Sequence, residues 1–180
     1  MAVTIDGTTG VSLVQDGVIT DANLPAGSVL QVVSATKTDT FASSSTNGSY
    51  DVTGLSVSIT PSSTSSKVLV LSQINYDVNS TSRGGFLLTR DSTNVFIADS
   101  SGSRDRQTVC VNGNGRGNNL NGTANITYLD SPSSTSALTY KIRADVRDSA
   151  AIFVNRSYGN SDAATVCVGT SSITVMEIAG

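Results

Sequence analysis

The sequence predicts an all-β protein, and three observations carry that reading. Among 180 residues there are 29 Ser and 22 Thr, but one Glu (Glu177) and three Lys (Lys37, Lys67, Lys141). Helices in water draw on Glu, Lys, Ala and Leu, whereas Ser, Thr, Val and Gly suit pleated strands and their turns. Apolar and polar residues also alternate with period two in several stretches, the signature of a half-buried strand. Finally, Gly, Pro, Asn and Asp clusters punctuate the chain about every 8–14 residues, with no βαβ rhythm.

In chain order, residues 1–27 form a short extended N-terminal arm and residues 28–180 a β-sandwich head domain. In the arm, Asp6-Gly7, Thr9-Gly10 and Asp16-Gly17 separate short apolar pieces: Val3 and Ile5, Val11 and Leu13, Val18 and Ile19. Leu24-Pro25-Ala26-Gly27 closes it. Such pieces are too short to bury themselves, and no heptad repeat pairs them as a coiled coil, so the arm is expected to dock on another chain, a sister copy or a larger partner, with packing onto its own domain as the alternative. Its candidate docking residues are Val3, Ile5, Val11, Leu13, Val18, Ile19 and Leu24.

The head opens with a strand over residues 28–35 and a second piece carrying Phe41. Leu55, Val57 and Ile59 then alternate with Ser56, Ser58 and Thr60. Pro61 and five Ser/Thr residues break the pattern, and Val68-Leu69-Val70-Leu71 resumes it with both faces apolar. This is read as a central hairpin whose second strand starts buried from both sides. Ile74, Tyr76 and Val78 follow on one face, with Gln73, Asn75 and Asp77 on the other. Gly84-Gly85 leads into Phe86-Leu87-Leu88, and Asp91-Ser92-Thr93-Asn94 turns the chain before Val95-Phe96-Ile97. Residues 108–111 are strand-like. Residues 112–119, Asn-Gly-Asn-Gly-Arg-Gly-Asn-Asn, have almost nothing to bury and form an exposed loop.

Leu120 to Tyr128 alternates again. Leu138, Tyr140, Ile142, Ala144 and Val146 then alternate with Thr139, Lys141, Arg143, Asp145 and Arg147, the clearest strand with one wet face. Residues 150–154, 165–168 and 173–178 complete about ten strands. An antiparallel sandwich of jelly-roll type fits them, because stretches apolar on both faces favour two packed sheets over an up-and-down barrel.

The same residues limit function. A net charge of −3 offers no basic field for nucleic acid. No apolar run is long enough for a membrane insertion, and the start lacks the regions of a signal peptide. There is no histidine, which removes Ser-His-Asp and Cys-His nucleophiles and the commonest metal ligand. Most of the thirteen Asp sit in turn contexts, and Asp77, Asp91 and Asp99 lack the spacing of a calcium loop. The glycines of the 112–119 loop lack the Lys-Ser or Lys-Thr of a phosphate loop. No catalytic, cofactor or metal residue is therefore assigned. Cys110 and Cys167 lie in predicted strands, which fits either a disulfide or two buried free thiols. The candidate contact surface is two exposed loops: Asn112, Asn114, Arg116, Asn118 and Asn119 in the first, Arg156 and Tyr158 in the second.

Several segments resemble a known family. They are Gly27-Ser28-Val29-Leu30-Gln31-Val32-Val33, Asp51-Val52-Thr53-Gly54-Leu55 running on to Pro61, Ser66-Lys67-Val68-Leu69-Val70, Tyr140-Lys141-Ile142, Phe153-Val154-Asn155-Arg156-Ser157, and Ser172-Ile173-Thr174-Val175-Met176-Glu177-Ile178. Together they resemble marine bacteriophage virion proteins, described as tail-fibre or phage structural proteins and carried by many cyanophages. The resemblance spans residues 27–178. The strand order is also similar to trimeric jelly-roll heads of the tumour-necrosis-factor and C1q type, a fold analogy only.

The resemblance implies a non-enzymatic virion protein made in the host cytoplasm without a signal peptide: a short homotrimeric tail fibre or fibre head serving host-surface adsorption. The arm would hold it to other virion proteins, and the loops would contact host glycan or protein. A capsid decoration (cement) protein that stabilises the phage head is the alternative.

Overall fold

The computed structural model describes residues 24–78, 83–113, 121–148, 151–164 and 166–180. Among them there is no helix, and the strands are β1 (Val29–Lys37), β2 (Phe41–Ala42), β3 (Gly48–Ile59), β4 (Lys67–Val78), β5 (Arg83–Arg90), β6 (Thr93–Val95), β7 (Val109–Asn112), β8 (Gly122–Asp130), β9 (Leu138–Arg147), β10 (Ile152–Val154) and β11 (Ser171–Ile178). All named pairings are antiparallel. The first sheet runs β1-β11-β4-β10-β2, with β8 on the other edge of β4. The second runs β3-β9-β5-β6, with β7 also on β5. Their inner faces share one core that includes Leu55, Val57, Val68, Val70, Ile74, Phe86, Ile126, Tyr140, Ile142 and Val175. The arrangement is consistent with a β-sandwich.

The expected central hairpin is not formed. β3 pairs with β9 and β4 with β11, β10 and β8, so the Pro61–Ser66 connection crosses from one sheet to the other. Adjacent strands usually pair, but two strands that each bury one face can also cap a core from opposite sides. Three further expectations are corrected. Leu69 and Leu71 are only half-buried, because they face outwards from the first sheet. Val95 ends β6, and Phe96 leaves the ladder with a positive φ of 49°. In the 165–168 stretch the described residues form no strand; Val168 makes only an isolated bridge to Arg156.

Two polar clamps tie the sheets and their connections together. Asp130 of β8 accepts hydrogen bonds from Tyr140 Oη at 2.7 Å and Arg90 Nη1 at 2.6 Å, joining the first sheet to the second. Burial first, then the Asp130 hydrogen bond, push the Tyr140 hydroxyl well above its usual range. Glu177 accepts from Gln31 Nε2 at 2.6 Å and from the Ser62 amide and hydroxyl, each at 2.7 Å. Its burial would raise its pKa, but these hydrogen bonds outweigh that and hold it below the ordinary value of 4.5.

The outward faces differ. On the first sheet the register aligns Val32, Met176, Leu69 and Leu129 in one row across four strands. Ser34, Thr174, Leu71 and Thr127 form the next row, and Thr36, Ser172, Gln73 and Asn125 the third. None of these residues is charged. On the second sheet, Asp51 lies between Lys141 (2.7 Å) and Arg143 (2.8 Å), and Asp145 lies 3.0 Å from Arg147.

Candidate functional site

Strand β4 sets the long dimension. Its first residue, Lys67, is opposite Ile178, and its last, Val78, is opposite Ile152, so its twelve residues separate two ends by about 37 Å. At the Lys67 end lie the first described residues, before β1. The Gly27 amide donates to Ala179 O at 2.7 Å, and the Ala179 amide donates to Ser28 O at 2.8 Å. Leu24, half-buried, is the one candidate arm residue among those described; Val3, Ile5, Val11, Leu13, Val18 and Ile19 lie outside them.

The described candidate loop residues, Asn112, Arg156 and Tyr158, gather at the Val78 end. Asn112 closes β7 opposite Arg83, which is in turn opposite Arg147 at the end of β9. Asn114, Arg116, Asn118 and Asn119 lie outside the described residues. Below Asn112 is a cleft of about 370 Å³ lined by Arg83, Arg104, Asp105, Gln107, Cys110 and Arg147, among others. Asp145, 1 % exposed, organises its wall. It accepts from Ser49 Oγ at 2.6 Å, Gln107 Nε2 at 2.9 Å and Arg147 Nε at 3.0 Å. Arg83 forms a two-pronged pair with Asp148, with Nη2 to Oδ1 at 2.8 Å. That hydrogen bond holds the Asp148 carboxyl below its usual range and raises the guanidinium. Arg104 donates to Ser101 Oγ at 2.6 Å.

Two glycines allow this packing. A Cβ at Gly84 would lie 2.4 Å from Asp145 O, and one at Gly85 would lie 2.2 Å from Val109 O. The Gly84-Gly85 pair therefore brings β5 close to its neighbours on both sides.

The second loop leaves β10 beside this end. Arg156 places its guanidinium carbon 4.3 Å from the centroid of the Phe153 ring, and Tyr158 meets the same ring edge-on at 5.6 Å. Tyr158 is 38 % exposed, in line with its assignment as an exposed residue. A buried polar mount fixes the loop. Fully buried Asp77 accepts from the amides of Val78 and Tyr158, each at 2.8 Å. Asn155 takes a positive φ of 61°, which Asn tolerates, and donates to Lys37 O and Asp39 O at 2.9 Å each. Ser171 Oγ donates to Asn155 Oδ1 at 2.6 Å.

The two cysteines are free and exposed, correcting the expectation of a disulfide or of buried thiols. Cys110 sits at an outward position of β7, and Cys167 accepts through its carbonyl from Asn121 Nδ2 at 3.4 Å. Among the described residues, no group of three or more His, Cys, Asp or Glu could hold a metal ion. No helix among them is long and apolar enough to cross a membrane.

Sequence reasoning singled out Asn112, Arg156 and Tyr158, which the fold brings to one end. It missed Arg83, Gln107, Asp145, Arg147, Asp77 and Phe153. Gln107 lies just before β7, and the others occupy ordinary polar or apolar strand positions; all of them meet only through long-range pairing. Chemically, this end offers guanidinium and amide donors, carboxylate acceptors and an exposed aromatic ring, which suits reversible polar recognition. No protein-family model matches the chain, and no curated protein matches it.

Proposed function

We propose that this chain is a non-enzymatic phage virion protein, a short homotrimeric fibre head that serves host-surface adsorption. The observation that carries this reading is the separation of its two ends. The arm's stem enters beside Ala179, while the cleft and the Arg156–Tyr158 loop lie at the far end of β4. A head anchored at one end and presenting polar recognition groups at the other is what adsorption requires. Clustering three copies would raise the effective concentration of a weak single contact.

The jelly-roll type is part of the proposal. Counting β6 and β7 as one, the long strands pair first with last (β1–β11), second with second-last (β3–β9), third with third-last (β4–β8), and the middle two together (β5–β6/β7). That is the order of one long hairpin rolled up on itself.

The test is binding of the full-length chain to intact cells of the host. Arg156→Ala and Tyr158→Ala should each weaken binding several-fold while the melting temperature, through the lost contact with Phe153, falls by only a few degrees. Equal binding by both variants and the wild type would overturn the placement of the contact surface. Failure of the wild type to bind, with antibody labelling confined to the capsid shell, would favour the decoration reading, to which an uncharged face is also suited.

A further inference from the structure

We infer that the uncharged outer face of the first sheet is the surface through which copies of this chain meet, with the row Val32, Met176, Leu69 and Leu129 at its centre. The inference deepens the proposed function and rests on its reading of the chain as self-associating.

The row is continuous. Val32 is opposite Met176, Met176 opposite Leu69, and Leu69 opposite Leu129, so four outward apolar side chains adjoin across four strands. Val32 is 55 % exposed and Leu129 47 %. Single exposed apolar residues are ordinary, but a registered row of them on a solvent face is not. Two rows of Ser, Thr, Leu, Gln and Asn follow, and a groove of about 370 Å³ lies over Leu71, Gln73, Asn125, Thr127 and Thr174. A knob-like row and an adjoining groove supply the two kinds of relief that a packed contact needs.

The occupant follows from charge and size. Around a threefold axis the residues nearest the axis meet their own copies, so a Lys or Asp at the centre of such a face would confront its like. The three rows contain none, although the chain has 25 charged residues. The second sheet, with the same alternation, carries Asp51, Lys141, Arg143 and Arg147 outward, with Asp145 buried beneath Arg147. Charge depletion with apolar residues at the centre distinguishes interface cores from the rest of a surface. Four strands by residues 172–176 of β11 give a projected area of about 300 Å², enough for the central part of the ~800 Å² that each partner contributes to a standard interface. Lys67 marks the margin, beyond the row at the sheet's end.

The experiment is the native mass of the full-length chain at low micromolar concentration, by light scattering after size exclusion. It compares the wild type with Leu129→Lys, Val32→Lys and, on the second sheet, Lys141→Ala. Each variant is checked by its melting curve at a concentration where all are monomeric. The expected result is a wild-type mass of three chains, retained by Lys141→Ala and reduced to one chain by both lysine variants. Because Val32 and Leu129 are exposed on different strands, one variant still reports if the other misfolds. Lysine variants that retain the wild-type mass would overturn this face while leaving self-association in place. A wild-type monomer would overturn self-association and this inference together. Unchanged mass with faster amide exchange in residues 1–23 of Leu129→Lys would assign the face to the arm, and so overturn it as the contact between copies.

Discussion

The outer faces of the two sheets begin from the same local rule. On β4 and β11, as on β9, every second residue points into the core and the alternate ones point away. On the second sheet the outward positions are ionic: Asp51 joins Lys141 and Arg143, and Asp145, buried beneath Arg147, gathers Ser49, Gln107 and Arg147. On the first they are Val, Met, Leu, Ser, Thr, Gln and Asn, in three uncharged rows. An ionic face stabilises the single head, because its partners are already present within the chain. An uncharged face with an apolar row leaves its favourable burial unrealised until something covers it. Changes on the second sheet should therefore register in folding stability, and changes on the first in association.

The largest expected effect of folding is at Asp145. Replacing it with Ala leaves the buried Gln107 amide and the half-buried Ser49 hydroxyl without their acceptor, and Arg147 with only Asp105, 3.5 Å away. The loss should be about 3 kcal/mol, read as a lower urea midpoint at unchanged slope. A loss under about 0.5 kcal/mol, the size of an ordinary surface change, would break the comparison at its strongest point. Gly85→Ala comes next. Its Cβ would meet Val109 O and Gln107 at 2.2 Å, so β7 must move away, at a cost of about 2 kcal/mol. The cleft beside Cys110 should open with it, visible as faster reaction of that exposed thiol.

Acid sharpens the comparison from the inside. The Glu177 carboxyl is held below its ordinary value of 4.5 in the folded chain, so its contribution is complete above that value and is lost as pH falls through the folded pKa. Thermal stability should therefore fall on acidification below about pH 4.5, and Glu177→Gln should flatten that part of the profile. Tyr140 gives the opposite sign. Its hydroxyl is raised above the ordinary 10.0, so its contribution is complete below that value and is lost only in stronger base. Tyr140→Phe removes the donor to Asp130 and should cost about 1 kcal/mol at neutral pH.

The smallest effect is at Asp51. Its carboxyl is lowered chiefly by the Lys141 hydrogen bond, but the group is half exposed and the pair is screened. Asp51→Asn should cost no more than about 0.5 kcal/mol, shrinking further in high salt.

Much of the head was legible locally. Leu138 to Arg147 is a strand with the predicted face buried, and Asp91-Ser92 turns β5 into β6 as its composition implied. Leu55, Val57 and Ile59 are buried and Tyr158 is exposed. These features depend on neighbours two residues away or on a turn of a few residues, so the chain carries their signal at short range. Pairing does not. The stretches on either side of Pro61 read as a hairpin, but β3 and β4 lie in different sheets, because either strand satisfies its one apolar face equally well on opposite sides of a core.

By itself, then, the sequence determined the all-β class, the positions of the long strands and, where apolar and polar residues alternate, which side chains face inward, since period two and turn chemistry are local. Only the tertiary structure decided that Val32, Met176, Leu69 and Leu129 share a row, or that Asp145 meets Gln107 across 38 residues. Such contacts depend on which strand edges meet and in what register, and that choice is made by the whole core rather than by any one segment.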